Sequence, residues 1–310
     1  MDRNELRRLI RGPIATVPTA FDKDFEVDLG RMAELTRWWV ANGLVKGRTA
    51  IKVAAAMGEG PQLRDTEWPA LLRTVVQASD GKAAVVAGLH YKDTKRCIED
   101  AKRAQDLGAI GLQISPPVFN APTDADNLRH FEALSNAIDI GILIYCRAGM
   151  PGGDIMPEIF KKMYDFEKVI GIKWGPPAGV PYEAIYELAG HFNIIDNRRQ
   201  PVLNHKLGGC GFVQNSTDVH PEHSFKVWDL LEAKRYDEAQ AEYNAVEKPL
   251  WDFYTRIRQT NGGQGRLKKA MMALLGRPMG VSRPPSLPLS PEETADLRKL
   301  LISFGWPVVA

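Results

Sequence analysis

Short apolar runs alternate with amphipathic ones along most of the chain. The apolar runs predict strands at Ile14–Pro18, Ala50–Ala55, Ala83–Gly88, Ile110–Ile114, Gly141–Tyr145, Val169–Lys173, Phe192–Ile195 and Gly211–Gln214. Between them, apolar positions recur at helical spacing over Leu29–Asn42, Thr66–Ala78, Asp93–Leu107, Asp124–Ala137, Pro157–Phe166, Tyr182–Ala189 and Val202–Leu207. Asp93 and Thr123 stand where caps belong, Gly108 and Gly190 where helices stop, and Pro157 in a first turn, where a missing N–H costs nothing.

Strands separated by helices predict a parallel sheet. Eight such units, spaced by roughly 25–35 residues, close naturally into an α/β fold of the (β/α)8 TIM barrel type, with an open doubly wound sheet as the alternative. The barrel is expected over residues 1–222, and residues 223–310 form a C-terminal helical extension packed on it. Helices are predicted there at Phe225–Ala233, Tyr236–Gln259, Arg266–Leu275 and Pro291–Phe304. The Pro-rich stretch from Arg283 to Pro291 reads as a rigid turn, with Ser290 capping the last helix.

Composition narrows the function classes. The 310 residues are 44% hydrophobic and 25% charged, an ordinary globular balance. A formal net charge of +2 argues against a dedicated nucleic-acid binder. No apolar run reaches the ~18 residues of a membrane span, and the charged stretch Met1–Ile10 lacks a signal-peptide core, so a cytoplasmic location is expected. Cys97, Cys146 and Cys210 are too few and too scattered for a disulfide framework or a zinc site. His220 and His223 lack further ligands at helical spacing, and Gly208–Gly211 lacks the spacing of a phosphate-binding loop. No metal or organic cofactor is expected.

Barrel enzymes carry their chemistry at the C-terminal ends of the strands. Two predicted strands end on Tyr145 and Lys173. A lysine whose head reaches solvent and a tyrosine with a satisfied hydroxyl are the ordinary readings of such residues taken singly. Together they make chemical sense. A buried lysine is biased toward its neutral amine, which condenses with a ketone to an iminium, and a phenol beside it moves protons. Neighbouring strands run into the turn Ala56–Gly60, into Gly88 with His90 beyond it, and into Ser115–Pro122.

These segments resemble, in order and nearly end to end, the dihydrodipicolinate synthase / N-acetylneuraminate lyase family of Schiff-base aldolases. Gly12–Phe21 is similar to the family's opening strand, and Met57-Gly58-Glu59 with Leu63 and Glu67 to its Gly-Thr-Thr-Gly-Glu turn. Val86–Gly88, Ala104–Ala109, Phe119–Pro122 with His130-Phe131, Gly208–Val213, Lys268 and Arg283–Pro285 fit further units. Ile144-Tyr145 matches the strand of the family tyrosine, and Gly171-Ile172-Lys173 that of the Schiff-base lysine. The resemblance implies catalytic Lys173 and Tyr145. It implies substrate contacts from Ala56, Met57, Phe119 and Val213, and from Arg147 if that arginine, displaced from the family position, faces inward rather than out from its loop. It also implies a pyruvate-like 2-oxo acid substrate with an aldehyde partner, and a homotetramer or homodimer.

The chain also departs from the family. Dihydrodipicolinate synthases relay protons through two tyrosines and a turn hydroxyl; here Ala56 and Met57 occupy the turn, and Phe119 or Val118 the second tyrosine position. None of these side chains moves a proton. The backbone N–H groups of Ala56 and Met57 still suit a carboxylate. Met57, with Phe119 and Trp174 if they face inward, makes the mouth apolar, as in the aromatic hydratase-aldolase branch. The leading expectation is a Schiff-base lyase that makes or breaks a C–C bond next to a pyruvate-like unit. A 2-oxo sugar acid dehydratase using the same iminium, and a non-catalytic binding protein, are the alternatives.

Overall fold

A computed structural model of the chain describes residues 1–90, 92–117, 121–146, 149 and 152–309. Its sheet is wholly parallel: β1 (Gly12–Pro13), β2 (Ala15–Thr16), β3 (Ala50–Val53), β4 (Ala84–Leu89), β5 (Gly111–Ile114), β6 (Gly141–Tyr145), β7 (Val169–Trp174), β8 (Asn193–Asp196) and β9 (Gly211–Phe212). Neighbours pair in chain order from β2 round to β9, and β9 pairs with β1. The expected barrel is therefore present, but its first strand differs from the single run Ile14–Pro18. It splits at Ile14, one half pairing with the last stave and the other with the second. Tilted barrel strands are staggered, so a short closing strand meets its two neighbours at different heights.

Strand residues alternate between two apolar compartments. Ile51, Val53, Val85, Leu112, Ile142, Ile144, Ile172 and Ile194 pack outward with the surrounding helices. Ala50, Val86, Leu143, Ile195 and Val213 pack inside the barrel. The floor of that interior comes from an element the hydrophobic pattern left unmarked, α1 (Arg3–Leu9). Its Leu6 and the following Ile10 are fully buried and plug the barrel's N-terminal end. Arg3 and Arg7 hold it there by donating to the carbonyls of Tyr164, Val169, Ala189 and Gly190.

Helices α2 (Leu29–Ala41), α3 (Glu67–Ala78), α4 (Thr94–Asp106) and α5 (Asp124–Ala137) match expectation within two residues. Asp93 caps α4 by accepting from the Arg96 N–H, and Thr123 closes a capping box with Asp126. Helix α6 (Pro157–Lys161) is shorter than expected, and Tyr182–Leu188 winds as 3-10 turns. Helix α7 (Pro201–Lys206) precedes β9. Helix α8 (Pro221–Glu232) starts four residues earlier than its apolar pattern, with Pro221 in its first turn. Helices α9 (Tyr236–Ile257), α10 (Gln264–Leu274) and α11 (Pro291–Ser303) follow, the last capped by Ser290. His220 stacks on Trp306 and His223 bonds to Glu242, so both are committed to packing. No helix among the described residues is long and apolar enough to cross a membrane.

Candidate active site

The C-terminal ends of the strands surround a cavity of about 490 Å³. Tyr145 and Lys173 both line it, paired in register across β6 and β7. The nitrogen of Lys173 lies 4.1 Å from the centre of the Tyr145 ring. Lys173 is 4% exposed, so its side chain ends inside the barrel rather than in bulk water. Strand alternation dictates this direction. Ile172 and Trp174 point to the helices, and Lys173 between them must point inward. Trp174 therefore does not line the mouth, contrary to the inward option raised from the sequence. It is fully buried against Phe160 and donates its indole N–H to the Tyr182 carbonyl at 3.0 Å.

One wall of the cavity is the turn after β3. Ala56–Gly58 forms a single 3-10 turn, and Ala55, Ala56 and Met57 line the cavity. The N–H groups of Gly58 and Gly60 are spent on the Ala55 carbonyl, and that of Glu59 on Ala56. Thr19 clamps the turn through the Gly58 carbonyl at 2.7 Å. Glu59 reaches the other way, to a buried ion pair with Lys269 of α10 at 3.0 Å. Burial pushes the Glu59 carboxyl up, while Lys269 pulls it back. Ala54 and Glu59 sit at positive φ, a conformation non-glycine residues adopt only when held. The tight path also needs Gly60 and Gly88: a Cβ on Gly60 would lie 1.7 Å from the Ala54 carbonyl oxygen, and one on Gly88 2.6 Å from the Ala55 Cα.

Below the Tyr145–Lys173 pair lies a polar layer that strand-end inspection missed. Lys52 on β3 is completely buried and donates to Gln113 Oε1 at 2.6 Å. Gln113 also approaches His90, whose ring stands edge-on to Tyr145 at 5.9 Å between centroids. Burial, with the charges of Lys173 and Lys52 behind it, pushes the His90 imidazole down to about 3. His90 is thus neutral. Lys52 is lowered well below the usual lysine value, first by burial and then by Lys173. The signal was present in the sequence, since Lys52 and Gln113 interrupt apolar strands at inward positions.

The far wall comes from beyond the barrel. Glu247 of α9 is buried and lines the cavity; its Oε2 accepts from the Asn215 N–H at 3.4 Å, and burial raises its carboxyl. Arg198, Arg199 and Arg258 stand at the mouth with Trp251 and Tyr254. Arg199 has φ +60 and lies 3.6 Å over the Trp251 ring. Asp196 shapes this loop by accepting from Tyr182 and from the N–H groups of Arg198 and Gln200. Nothing local in the sequence distinguishes Glu247 from any other helix acid. Val213 also lines the cavity. Phe119 and Arg147 lie outside the described residues.

A model of the dihydrodipicolinate synthetase family matches residues 9–303. The chain belongs to this family. It is 29% identical over 297 residues to the 4-hydroxy-tetrahydrodipicolinate synthase of Heliobacterium modesticaldum, covering 94% of this chain and 95% of that one. It is also 29% identical over 283 residues to the synthase of that name from Cutibacterium acnes, covering 90% and 92%. Dihydrodipicolinate synthase from Aquifex aeolicus superposes with a TM-score of 0.85 at 22% identity, over 97% of this chain and 100% of that one. A chloride-inhibited dihydrodipicolinate synthase from Acinetobacter baumannii, solved in complex with pyruvate, gives 0.83 at 22% identity, over 96% and 99%. At such identities the solved structures speak to the fold. Membership places the chain among Schiff-base lyases at the level of the family.

Proposed function

We propose that this protein is a class I lyase of the aldolase type, making or breaking a C–C bond next to a pyruvate-like 2-oxo acid through an iminium on Lys173. The observation that carries the reading is the in-register Tyr145–Lys173 pair inside a cavity at the catalytic end of a barrel. The Lys173 amine adds to the ketone carbon, and water leaves as the C=N bond forms. The iminium then withdraws electrons from the neighbouring carbon, which loses a proton to give an enamine or releases an aldehyde by C–C cleavage. Tyr145 is the group placed to carry protons between nitrogen, oxygen and carbon. The N–H groups of Ala56 and Met57 are the proposed carboxylate donors.

Met57, Trp251 and Tyr254 on the walls, with three arginines at the mouth, favour a bulky aldehyde partner that carries a flat apolar part and a negative charge. Homodimeric or homotetrameric assembly is part of the proposal by family analogy. The test is borohydride reduction with pyruvate and larger 2-oxo acids, read by intact mass and peptide mapping, beside Lys173→Ala. A reduced adduct on Lys173 that Lys173→Ala abolishes is the expected result. Undiminished turnover in Lys173→Ala would sink the reading. Release of water without a small 2-oxo acid would redirect it to a dehydratase.

A further inference from the structure

The barrel interior holds two lysines where iminium chemistry needs one. Lys52 is completely buried and lines the same cavity as Lys173 and Tyr145. Its nitrogen is held by Gln113, which is in register with Leu143 and Gly171, two positions before Tyr145 and Lys173. The acceptor is an amide oxygen and brings no charge. Among the described residues no carboxylate forms an ion pair with Lys52.

Two buried acids, neither of them lining the cavity, are engaged elsewhere. Asp218 pairs with Lys268 of α10. Asp196 takes its hydrogen bonds from Tyr182 and two backbone N–H groups. Glu247 does line the cavity, with Oε1 unpartnered among the described residues, and burial raises its carboxyl. His90 is neutral and faces Tyr145. Two ammonium groups in such a space lose hydration and repel each other, so a second proton is much harder to add than the first.

We propose that Lys52 is a positioning residue for Lys173: the two amines are electrostatically coupled and hold one proton between them near neutral pH. Exchange of that proton makes Lys173 available as a free amine, which an ordinary lysine pKa of ~10.4 would prevent at neutral pH. The catalytic meaning rests on the iminium reading above; the coupling itself does not.

The experiment is a pH titration of the protein carrying 13Cε-labelled lysine, followed by NMR, with signals assigned through Lys52→Met and Lys173→Met. Lys52→Met is expected to raise the Lys173 midpoint by about one pH unit or more, a tenfold gain in proton affinity, and Lys173→Met to raise that of Lys52 reciprocally. Gln113→Glu keeps both lysines and supplies a counter-charge, so both midpoints rise. It carries the test if Lys52→Met does not fold. Midpoints that stay put in all three variants overturn the proposal. Turnover of Lys52→Met at neutral pH is expected to fall about tenfold and recover at higher pH with KM unchanged. An equal loss at every pH would mark a merely structural role and also overturn it. A missing borohydride adduct with the reciprocal shift intact would remove the iminium reading and leave the coupled pair standing.

Discussion

Lys173 rests its side-chain nitrogen 4.1 Å from the centre of the Tyr145 ring, and the two residues are direct partners across neighbouring parallel strands. Adjacent strands and matching inward positions bring the pair together. No loop has to order to assemble it. The proposed nucleophile and its proposed proton carrier are thus both held on strands of the barrel.

Replacing Tyr145 by Phe keeps the ring against Lys173 and removes only the hydroxyl. Turnover is expected to fall by about 10²–10⁴, the range for losing a positioned proton-transfer group. The borohydride-trapped adduct on Lys173 should still form, more slowly. Single-turnover kinetics beside trapping yields separates the two effects. Equal turnover in both proteins would remove Tyr145 from the mechanism.

Glu67 and Arg283 clamp α3 to the segment after α10 through two hydrogen bonds of 2.8 Å each. Those bonds, helped by Arg64, hold the Glu67 carboxyl down at about 2. The folded value is below the unfolded one of ~4.3, so the unfolded chain binds the proton more readily. The clamp's stabilisation is therefore complete above pH ~4.3 and lost as pH falls toward about 2. Glu67→Gln should cost on the order of 2 kcal/mol at pH 7 and converge with the parent near the acid limit. Urea unfolding at both ends of that window is the check.

The ion pair between Lys268 and Asp218 is wholly buried, and Lys268 also donates to the Thr16 carbonyl at 2.8 Å. Burial pushes the Asp218 carboxyl up while Lys268 pulls it down. Removing one partner strands a charge in the core. Asp218→Asn is expected to destabilise by about 3–5 kcal/mol, whereas the double change Asp218→Leu with Lys268→Met recovers much of that. Denaturant midpoints of the two variants decide it. A double variant no more stable than the single would contradict this account.

Gly60→Ala and Gly88→Ala each drive a methyl group into the backbone beside the Ala56–Gly58 turn. The turn must shift, and with it the N–H groups proposed to hold the carboxylate. Both variants should raise KM for the 2-oxo acid more than they lower the thermal midpoint. Gly190→Ala, whose Cβ meets nothing within 4 Å and whose φ is not in the left-handed region, is the comparison at a glycine away from the cavity.

Much of this protein was legible along the chain. Parallel strands covered on both faces read as apolar runs, and helices between them as amphipathic ones, so the barrel and the caps at Asp93, Thr123 and Ser290 followed from local chemistry. Lys173 and Tyr145 stood out as candidates because strand ends are where barrels do chemistry. The plug helix α1 was not, because seven residues carry too few apolar positions to show a period.

The sequence by itself determined the fold, the family-like order of its segments and the two strand-end residues on which the proposed chemistry rests, since each depends on short-range pattern. Only the tertiary structure decided which side chains share the cavity. It turned Trp174 away to the helices. It raised Lys52 through the barrel to Gln113, and it brought Glu247 and Trp251 in from α9. Strand parity, barrel stagger and helix docking set those meetings, and all three act between residues far apart in the chain.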